Sequence, residues 1–155
     1  MNGGVWPALA LPTTATSSTT AISTLPAHGI AVAELVVISG DARERLDREI
    51  IPPEFRAENP DAKPEVEAVE TGRLQRADVV IAVLSTPVEH PKIEVWEMQL
   101  SAGAVCTTLL YAAQSFGYAA QWLTEWYAYN DRMLEALGGR IGTDRIAGFI
   151  YIGEK

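Results

Sequence analysis

The chain has 155 residues, 48% of them hydrophobic, and a formal net charge of −8 at pH 7. This length and composition predict one globular domain with an ordinary apolar core. The acidic balance, with no basic patch, argues against a nucleic-acid-binding protein, and no apolar run reaches the roughly 18 residues of a membrane-spanning helix. Cys106 is the single cysteine, which excludes an internal disulfide. Because the N-terminal apolar patch also lacks a basic start, we expect a cytoplasmic protein without a signal peptide.

The N-terminal segment differs in composition from the rest of the chain. Residues 1–33 contain no Asp, Glu, Lys or Arg, and residues 13–24 are mostly Thr, Ser and Ala. Pro7, Pro12 and Pro26 interrupt any regular hydrophobic period. We therefore expect a loosely packed arm here.

The following part of the chain predicts two strands and two helices. In chain order they are a buried strand over residues 34–39, a helix over 41–50 capped by Asp41, a helix over 64–77 and a fully buried strand over 79–84. Pro52 and Pro53 are expected to end the first helix, and a polar loop is expected over residues 55–63. Val66 and Val69 are expected to face inward from the second helix.

The main feature of the second half of the chain is the stretch over residues 92–124, which predicts a long helix. Its amphipathic start places Ile93, Trp96 and Leu100 on one helical face, and residues 101–116 are apolar or small on nearly every face. A helix that is apolar on nearly every face has to be buried on all sides. One chain of 155 residues has few other residues with which to bury it. We therefore expect it to pack against a second copy of the chain in a homodimer.

The elements after this helix are marked by local signals. Gly117 is placed to end the helix in a left-handed conformation, and residues 118–123 predict a short strand. Asn130 is placed to cap a helix over residues 131–137, and a central-type strand over residues 145–152 closes the chain. Four strands interspersed with four helices predict an α+β domain.

No constellation for hydrolysis or for metal binding is present. The chain has two histidines and one cysteine, too few for a metal site with the usual ligand spacings. It also has neither a phosphate-cradling glycine loop with a lysine nor a nucleophile elbow. Because so few ionisable residues fall in core segments, any enzymatic reactivity is expected to come from a cofactor.

The order of motifs in the second half resembles that of a known family. The letters S-A-G open an apolar helix at Ser101, Gly117 ends it, a strand ends at Trp122, and the strand G-F-I-Y-I-G closes the chain at residues 148–153. This order is similar to that of the small bacterial nitroreductases. The resemblance extends over residues 36–153.

The resemblance implies an α+β nitroreductase-like fold, with a mixed or antiparallel sheet flanked by helices around a long buried central helix. It implies a homodimeric FMN-dependent oxidoreductase that passes electrons from NADH or NADPH to a nitroaromatic, quinone or similar planar acceptor. No side chain need act as catalytic acid or base, since flavin and solvent supply the chemistry. The chain then divides into an arm over residues 1–27 and a nitroreductase-like domain over 28–155. Terminal segments in this family often cross onto the partner subunit, so that alternative stays open for the arm.

Two parts of the chain match segments that lie near the flavin in this family. The segment L-P-A-H-G, which contains His28, resembles the family's P-D-H-G-K segment, and Thr24 falls where the family places another flavin contact. The strand end Trp122, Leu123 and Thr124 matches the segment that lays backbone and side-chain groups beside the flavin ring. The alternatives are a structural or solvated His28 and a Trp122 that anchors the core or the dimer interface.

A third match implies a nicotinamide contact at the end of the central helix. Its residues are Ala112, Ala113, Gln114, Ser115, Phe116 and Gly117. The alternative is that this segment is only the end of a buried helix. The aromatic residues Trp126, Tyr127 and Tyr129 follow the Trp122 strand and either wall a pocket for planar substrates or pack at an interface.

The chain departs from the family at the phosphate of the flavin. The family's N-terminal Arg-Arg-Ser segment holds that phosphate, whereas this chain has no Arg before Arg43 and no Lys before Lys63. Two lost charge-assisted hydrogen bonds would cost about 3–6 kcal/mol. Two hypotheses follow: an FMN-dependent enzyme, or a degenerate family member with weak or no flavin binding that acts as a dimeric structural or small-molecule-binding module.

Overall fold

The computed structural model describes residues 32–155 and the backbone of residues 20–23. Its strands are β1 (Thr20–Ser23), β2 (Ala33–Ser39), β3 (Val79–Ser85), β4 (Ala119–Leu123) and β5 (Arg145–Gly153). Its helices are α1 (Asp41–Glu49), α2 (Ile51–Glu58), α3 (Pro64–Glu70), α4 (Val95–Ser115) and α5 (Asp131–Ala136), with 3-10 turns at Arg73–Arg76 and Trp126–Tyr129. Both classes of element are interspersed, which confirms the α+β fold class.

The five strands form one antiparallel sheet in the order β1-β2-β3-β5-β4. The central strand β3 pairs with β2 and β5, so that Ala82 lies opposite both Val36 and Phe149. The register between β3 and β5 shifts beside Val83 and Leu84, as expected for a β-bulge. The sheet has five strands rather than the four expected, because residues 20–23 form β1, an outer strand that pairs with β2.

The two faces of the sheet carry separate cores, because successive side chains of a strand point to opposite faces. One core contains Val80, Ala82 and Leu84 of β3 and is covered by α1, α5 and the two 3-10 turns. The other contains Val83 and packs against Cys106 and further residues of α4. The domain is therefore a sheet between a layer of short helices and the single long helix α4.

Helix α4 is covered by its own chain on one face only. Its buried residues are Met98, Ala102, Cys106 and Ala113, which recur at helical spacing and face the sheet. On the outward face Trp96, Leu100 and Tyr111 are exposed by 65%, 54% and 69%. We call these three residues, with Ala104 between them, the outer stripe. The central helix is thus long and apolar as expected, but a single chain does not bury it.

The expectation of a loop over residues 55–63 is wrong for its first part. Pro52 and Pro53 do not simply end a helix; they stand in the first turn of α2, which runs to Glu58. Proline is tolerated there because the first N–H groups of a helix lack an intrahelical partner. Phe55 is buried and its ring lies 5.7 Å from that of Trp126.

The expectation of a helix over residues 64–77 with Val66 and Val69 inward is also wrong. Helix α3 ends at Glu70, Gly72 adopts a left-handed conformation with φ of 83°, and a 3-10 turn follows that buries Leu74. Val66 and Val69 are exposed. The one buried residue of this seven-residue helix is Glu70, so α3 presents no apolar face to the core.

The cap expected at Asp41 is wrong, because Asp41 is the first residue of α1 and makes no capping hydrogen bond. Two other local signals are confirmed. Gly117 has a φ of 89° where α4 ends, and the Asn130 side chain accepts a hydrogen bond from the Met133 N–H at 3.1 Å as the cap of α5. Strand β1 falls within the arm expected over residues 1–27. The other residues of that arm lie outside the described part of the chain, so its boundary stays a prediction.

Candidate cofactor site at one edge of the sheet

The end of β3, the start of β2 and the start of β5 lie side by side, along the border of the sheet where these strands end or begin. Ser85 lies opposite Ala33 on one side and Arg145 on the other. Strand β4 ends at Leu123, beside Phe149, so residues 145–148 of β5 extend past it. We call this region the 85–145 edge.

The first two residues predicted near the flavin, Thr24 and His28, lie outside the described residues. Strand β1 ends at Ser23 opposite Glu34, and β2 begins at Ala33 opposite Ser85. The described end of β1 and the described start of β2 therefore both lie on the side of the 85–145 edge.

Trp122 lies against β5 and α4 at this edge. Its indole Nε1 donates a hydrogen bond to the Ala147 carbonyl at 3.2 Å. A Cβ at Gly148 would lie 2.0 Å from Nε1, and a Cβ at Gly103 would lie 3.9 Å from Cη2. Only glycine at position 148 lets the indole lie this close to β5. The indole is thus anchored by packing, yet the residue is still 37% exposed.

The neighbours of Trp122 face in different directions. Leu123 packs against the core on the opposite side of the sheet, whereas Thr124 is exposed. Leu123 can therefore offer a ligand at this edge only its backbone groups. Trp122 and Thr124 can also offer side chains.

Ser85 is a further candidate that the sequence interpretation missed. It is 3% exposed, and its hydroxyl has no hydrogen-bond partner. By the alternation of β3, Ser85 is on the same face as Val83, the face that α4 covers. A buried hydroxyl without a partner is uncommon in native proteins and indicates a missing ligand or water. The available signal was a polar residue that ends an otherwise apolar strand.

The segment predicted to contact nicotinamide lies at the other end of β4. Ala112, Ala113 and Phe116 line a cavity of about 510 Å³, together with Leu109, Tyr118, Ile152 and the carboxylates Asp78 and Glu154. Gln114, Ser115 and Gly117 do not line it. Strand β4 has five residues, which span about 13 Å. One chain therefore does not bring Ala112–Gly117 together with Trp122–Thr124.

The chain segment that follows Thr124 is held by charged groups. Glu125 has φ of 48° and ψ of 164°, a backbone conformation that costs a non-glycine residue about 1–3 kcal/mol. Its carboxylate accepts a hydrogen bond from Arg73 at 2.8 Å. Arg73 also binds both carboxylate oxygens of Glu70, at 2.6 and 2.7 Å, and the Trp126 indole donates to Glu70 at 2.8 Å.

These contacts hold Glu70 and Arg73 in their charged forms. Burial tends to raise the pKa of Glu70, but the hydrogen bonds from Arg73 and Trp126 outweigh it, so this pKa lies below its usual value. The hydrogen bond to Glu70 raises the pKa of Arg73. The pair is largely shielded from water, with side-chain exposures of 16% for Arg73 and 10% for Glu70.

Of the aromatic cluster, two members belong to the core. Trp126 packs edge-on against Tyr127 with ring centroids 5.6 Å apart. Tyr127 is fully buried, and its hydroxyl lies 2.7 Å from that of Tyr151. Burial raises the pKa of Tyr151 to about 12. Trp126 and Tyr127 therefore pack within the core of their own chain, which is neither of the two expected roles, a pocket wall or an interface. Of the three residues, Tyr129 alone is exposed, and for it both roles stay predictions.

The turn that leads into β5 is stabilised by Asp144. Its carboxylate accepts hydrogen bonds from the Arg140 backbone N–H at 2.8 Å and from the Arg140 guanidinium at 2.8 and 3.0 Å. Arg140 also donates to the Pro87 carbonyl at 3.3 Å. Burial tends to raise the pKa of Asp144, but the Arg140 bonds outweigh it and the pKa lies below its usual value.

Replacing Asp144 with asparagine is expected to lower the free energy of unfolding at pH 7 by about 1–3 kcal/mol, because charge-assisted bonds are lost from a buried position. A carboxyl with a lowered folded-state pKa stabilises the fold above its unfolded pKa, and that stabilisation is lost as the pH falls through the folded value. The difference between the two proteins should therefore shrink below about pH 4. Urea unfolding at several pH values measures it, and a difference that persists unchanged at pH 2.5 would contradict the ionic origin.

The described residues hold no group of three or more His, Cys, Asp or Glu side chains that could bind a metal ion. Within the same part of the chain, no helix has the length and apolar character needed to cross a membrane.

The fold and this edge can be compared with known proteins. The family model described as "Nitroreductase family" matches residues 23–154, most of the chain. The chain belongs to the nitroreductase family. The resemblance noted over residues 36–153 is thereby confirmed, and the family match begins earlier, at residue 23.

Individual relatives agree with this assignment. "Putative NAD(P)H nitroreductase YdjA" of Escherichia coli (strain K12) is 29% identical over 119 residues, which cover 76% of this chain and 62% of that protein. The chain thus spans less than two thirds of the length of this relative.

Two solved structures share the fold. The nitroreductase-like family protein from Bacillus cereus has a TM-score of 0.62 at 20% identity, covering 80% of this chain and 63% of that one. A nitroreductase with bound FMN from Bacteroides fragilis has a TM-score of 0.56 at 14% identity, covering 84% of this chain and 70% of that one. At these identities the likeness shows the fold, which is nitroreductase-like.

Proposed function

We propose that the protein is an FMN-dependent oxidoreductase that passes electrons from NADH or NADPH to a nitroaromatic, quinone or similar planar acceptor. The observation that carries this proposal is the 85–145 edge, where the partly exposed Trp122, Thr124 and the unpartnered hydroxyl of Ser85 occur in a chain of the nitroreductase family. Relatives support both cofactors: one solved nitroreductase holds FMN, and the E. coli relative is named for NAD(P)H.

The residues present at this edge fit the ring of a flavin. Backbone groups of Trp122, Leu123 and Thr124 would contact the polar edge of the ring, and Ser85 offers a buried hydroxyl that has no partner in the described chain. A site with an apolar wall and a few placed polar groups is typical of cofactor pockets. Thr24 and His28 belong to this proposal through the resemblance. Bound FMN would supply the electron exchange, and we assign no side chain as catalytic acid or base.

We further propose that the site is completed by a second copy of the chain. Helix α4 has 21 residues and is about 31 Å long, and its outer stripe is apolar and uncovered by its own chain. If two α4 helices pack antiparallel along this stripe, Ala112–Gly117 of the partner lie opposite the N-terminal turns of α4. The N-terminal half of α4 lies near the 85–145 edge, since Gly103 faces the indole of Trp122. The two predicted contact segments would then meet across the dimer interface.

The cavity lined by Ala112, Ala113 and Phe116 supports a ring-sized ligand at that segment. Its volume of about 510 Å³ lies in the range of small-molecule pockets. Asp78 and Glu154 border it, and carboxylates repel phosphate. The cavity is therefore suited to the nicotinamide or a neutral planar acceptor, and not to the phosphates of a dinucleotide. A cytoplasmic location belongs to the same proposal and is supported by the single cysteine, Cys106, because few cysteines are typical of proteins without disulfides.

The flavin phosphate provides the sharpest test of this proposal. Arg145 lies at this edge, opposite Ser85, and Arg140 donates to the carbonyl of nearby Pro87 but is paired with Asp144. Lys92 lies in the connection from β3 to α4, and all three basic residues are exposed. Exposed charges contribute about 0–1 kcal/mol each. Riboflavin is therefore expected to bind within about tenfold of FMN. Titration of the flavin-free protein with each ligand, followed by flavin fluorescence, measures both dissociation constants.

Two results would contradict parts of this picture. A preference for FMN above about 100-fold, or roughly 2.7 kcal/mol, would show that basic groups hold the phosphate strongly, and the variants Lys92→Ala and Arg145→Ala would then identify them. Binding of neither ligand would overturn the flavoprotein and favour the alternative, a degenerate family member that acts as a dimeric structural or small-molecule-binding module. This alternative stays open because the chain has no Arg or Lys before Arg43 that could hold the flavin phosphate.

A further inference from the structure

The backbone conformation of Glu125 is exceptional in this protein. Among the described residues, Glu125 is the one non-glycine residue with a positive φ. It directly follows Thr124, the last residue of the proposed flavin segment. The φ angle of Glu125 sets the orientation of the peptide plane that it shares with Thr124. The direction of the Thr124 carbonyl therefore depends on the φ angle of Glu125.

This conformation is held from a distant part of the chain. Arg73, in the 3-10 turn before β3, donates to the Glu125 carboxylate at 2.8 Å. The guanidinium cannot swing away easily, because two other nitrogens bind Glu70 at 2.6 and 2.7 Å. Such a bidentate arrangement is geometrically specific. Trp126, the next residue after Glu125, also donates to Glu70, so both sides of the Glu125–Trp126 peptide are tied to one ion pair.

We propose that Arg73 is a positioning residue for the flavin: anchored by Glu70, it holds Glu125 in its left-handed conformation and so sets the backbone groups of Trp122–Thr124 against the ring. The inference rests on the proposed function, since it assumes that this segment contacts flavin. The proposal adds Glu70, Arg73 and Glu125, which the family resemblance did not indicate. Arg73 is assigned no contact with flavin or with substrate.

A double-mutant cycle tests this role, because glycine adopts a positive φ without strain and needs no ion pair to hold it. Glu125→Gln weakens the contact to Arg73 but leaves the Arg73–Glu70 pair, and it is expected to weaken riboflavin binding about tenfold, or roughly 1.4 kcal/mol. Arg73→Gln should have a similar effect. Glu125→Gly should bind riboflavin within about threefold of the unchanged protein, and adding Arg73→Gln to it should change the dissociation constant little further.

The readouts are the riboflavin dissociation constant, the visible absorption spectrum of the bound flavin, and the exchange rate, without flavin, of the buried Ala128 amide, which donates to the Glu125 carbonyl at 3.3 Å. Faster exchange at this amide in Arg73→Gln, with unchanged exchange in β3, is expected for a local positioning role. If Arg73→Gln costs the same affinity in the unchanged protein and in the Glu125→Gly variant, the proposal is overturned, since Arg73 would then act on overall stability. A Glu125→Gly protein as weak as Glu125→Gln would overturn it too.

The failure of the proposed function gives a different result. If the unchanged protein binds neither riboflavin nor FMN, the proposed function is overturned and the positioning role falls with it. If the unchanged protein binds flavin and the four variants all bind it equally well, the flavoprotein stands and only the role of Arg73 is overturned.

Discussion

Replacing Leu100 with aspartate is expected to convert the protein from a dimer into a folded monomer. Leu100 lies in the outer stripe of α4 and is 54% exposed in the single chain, so the change removes little packing within one subunit. In a dimer that packs along this stripe, the new carboxylate would be buried without a partner, which costs several kcal/mol. Sedimentation velocity at micromolar concentration measures the change in mass, and circular dichroism shows whether the helices are kept.

Val69→Asp is the matched control for this experiment. Val69 is exposed to a similar degree, 58%, but it lies on α3, in the helical layer on the other side of the sheet. The control should stay dimeric and keep any flavin binding. If the flavin site is shared between subunits, Leu100→Asp should lose flavin binding together with the dimer. An unchanged protein that sediments as a monomer would disprove the role assigned to the outer stripe.

Features with a local physical cause were predictable from the sequence. Gly117 ends α4 because only glycine enters the left-handed region freely. Asn130 caps α5 because its side chain reaches the N–H three residues on. The strands β2, β3 and β5 were predictable as apolar, β-branched runs. In each case the signal and the structure that it specifies lie within a few residues of each other.

Features that depend on distant packing were not predictable. The pair Pro52 and Pro53 is compatible both with the end of one helix and with the start of the next, and only the burial of Phe55 against Trp126 favours the second. Val66 and Val69 have helical spacing, but they are exposed by 48% and 58% and do not belong to the core. Periodicity shows that a face exists and leaves open what covers it.

The candidate site shows the same limit. The match at Trp122–Thr124 identified a segment, but the hydroxyl of Ser85 has functional interest only because it is buried without a partner. Likewise, Arg73 lies 52 residues from Glu125, and no spacing rule connects them. The strand predicted over residues 118–123 already separates Ala112–Gly117 from Trp122–Thr124, but only the structure shows that the rest of the chain does not bring them back together.

The largest effect within the folded chain is expected at Gly148. Gly148 has no positive φ, so its backbone accepts alanine. The added methyl group, however, would lie 2.0 Å from Nε1 and 2.4 Å from Cδ1 of Trp122. The indole would have to leave β5 and lose its hydrogen bond to the Ala147 carbonyl.

Gly148→Ala is therefore expected to lower the free energy of unfolding by about 2–4 kcal/mol, from overpacking and the lost hydrogen bond. It should also change the tryptophan fluorescence and weaken riboflavin binding, since Trp122 would no longer border the edge.

Gly103→Ala is the matched control, because its methyl group would meet the same indole at 3.9 Å, an ordinary contact. In the interior of α4 that change should stabilise the protein by about 0.5–1 kcal/mol. Equal unfolding midpoints for the two variants would show that the Trp122 indole does not lie over Gly148.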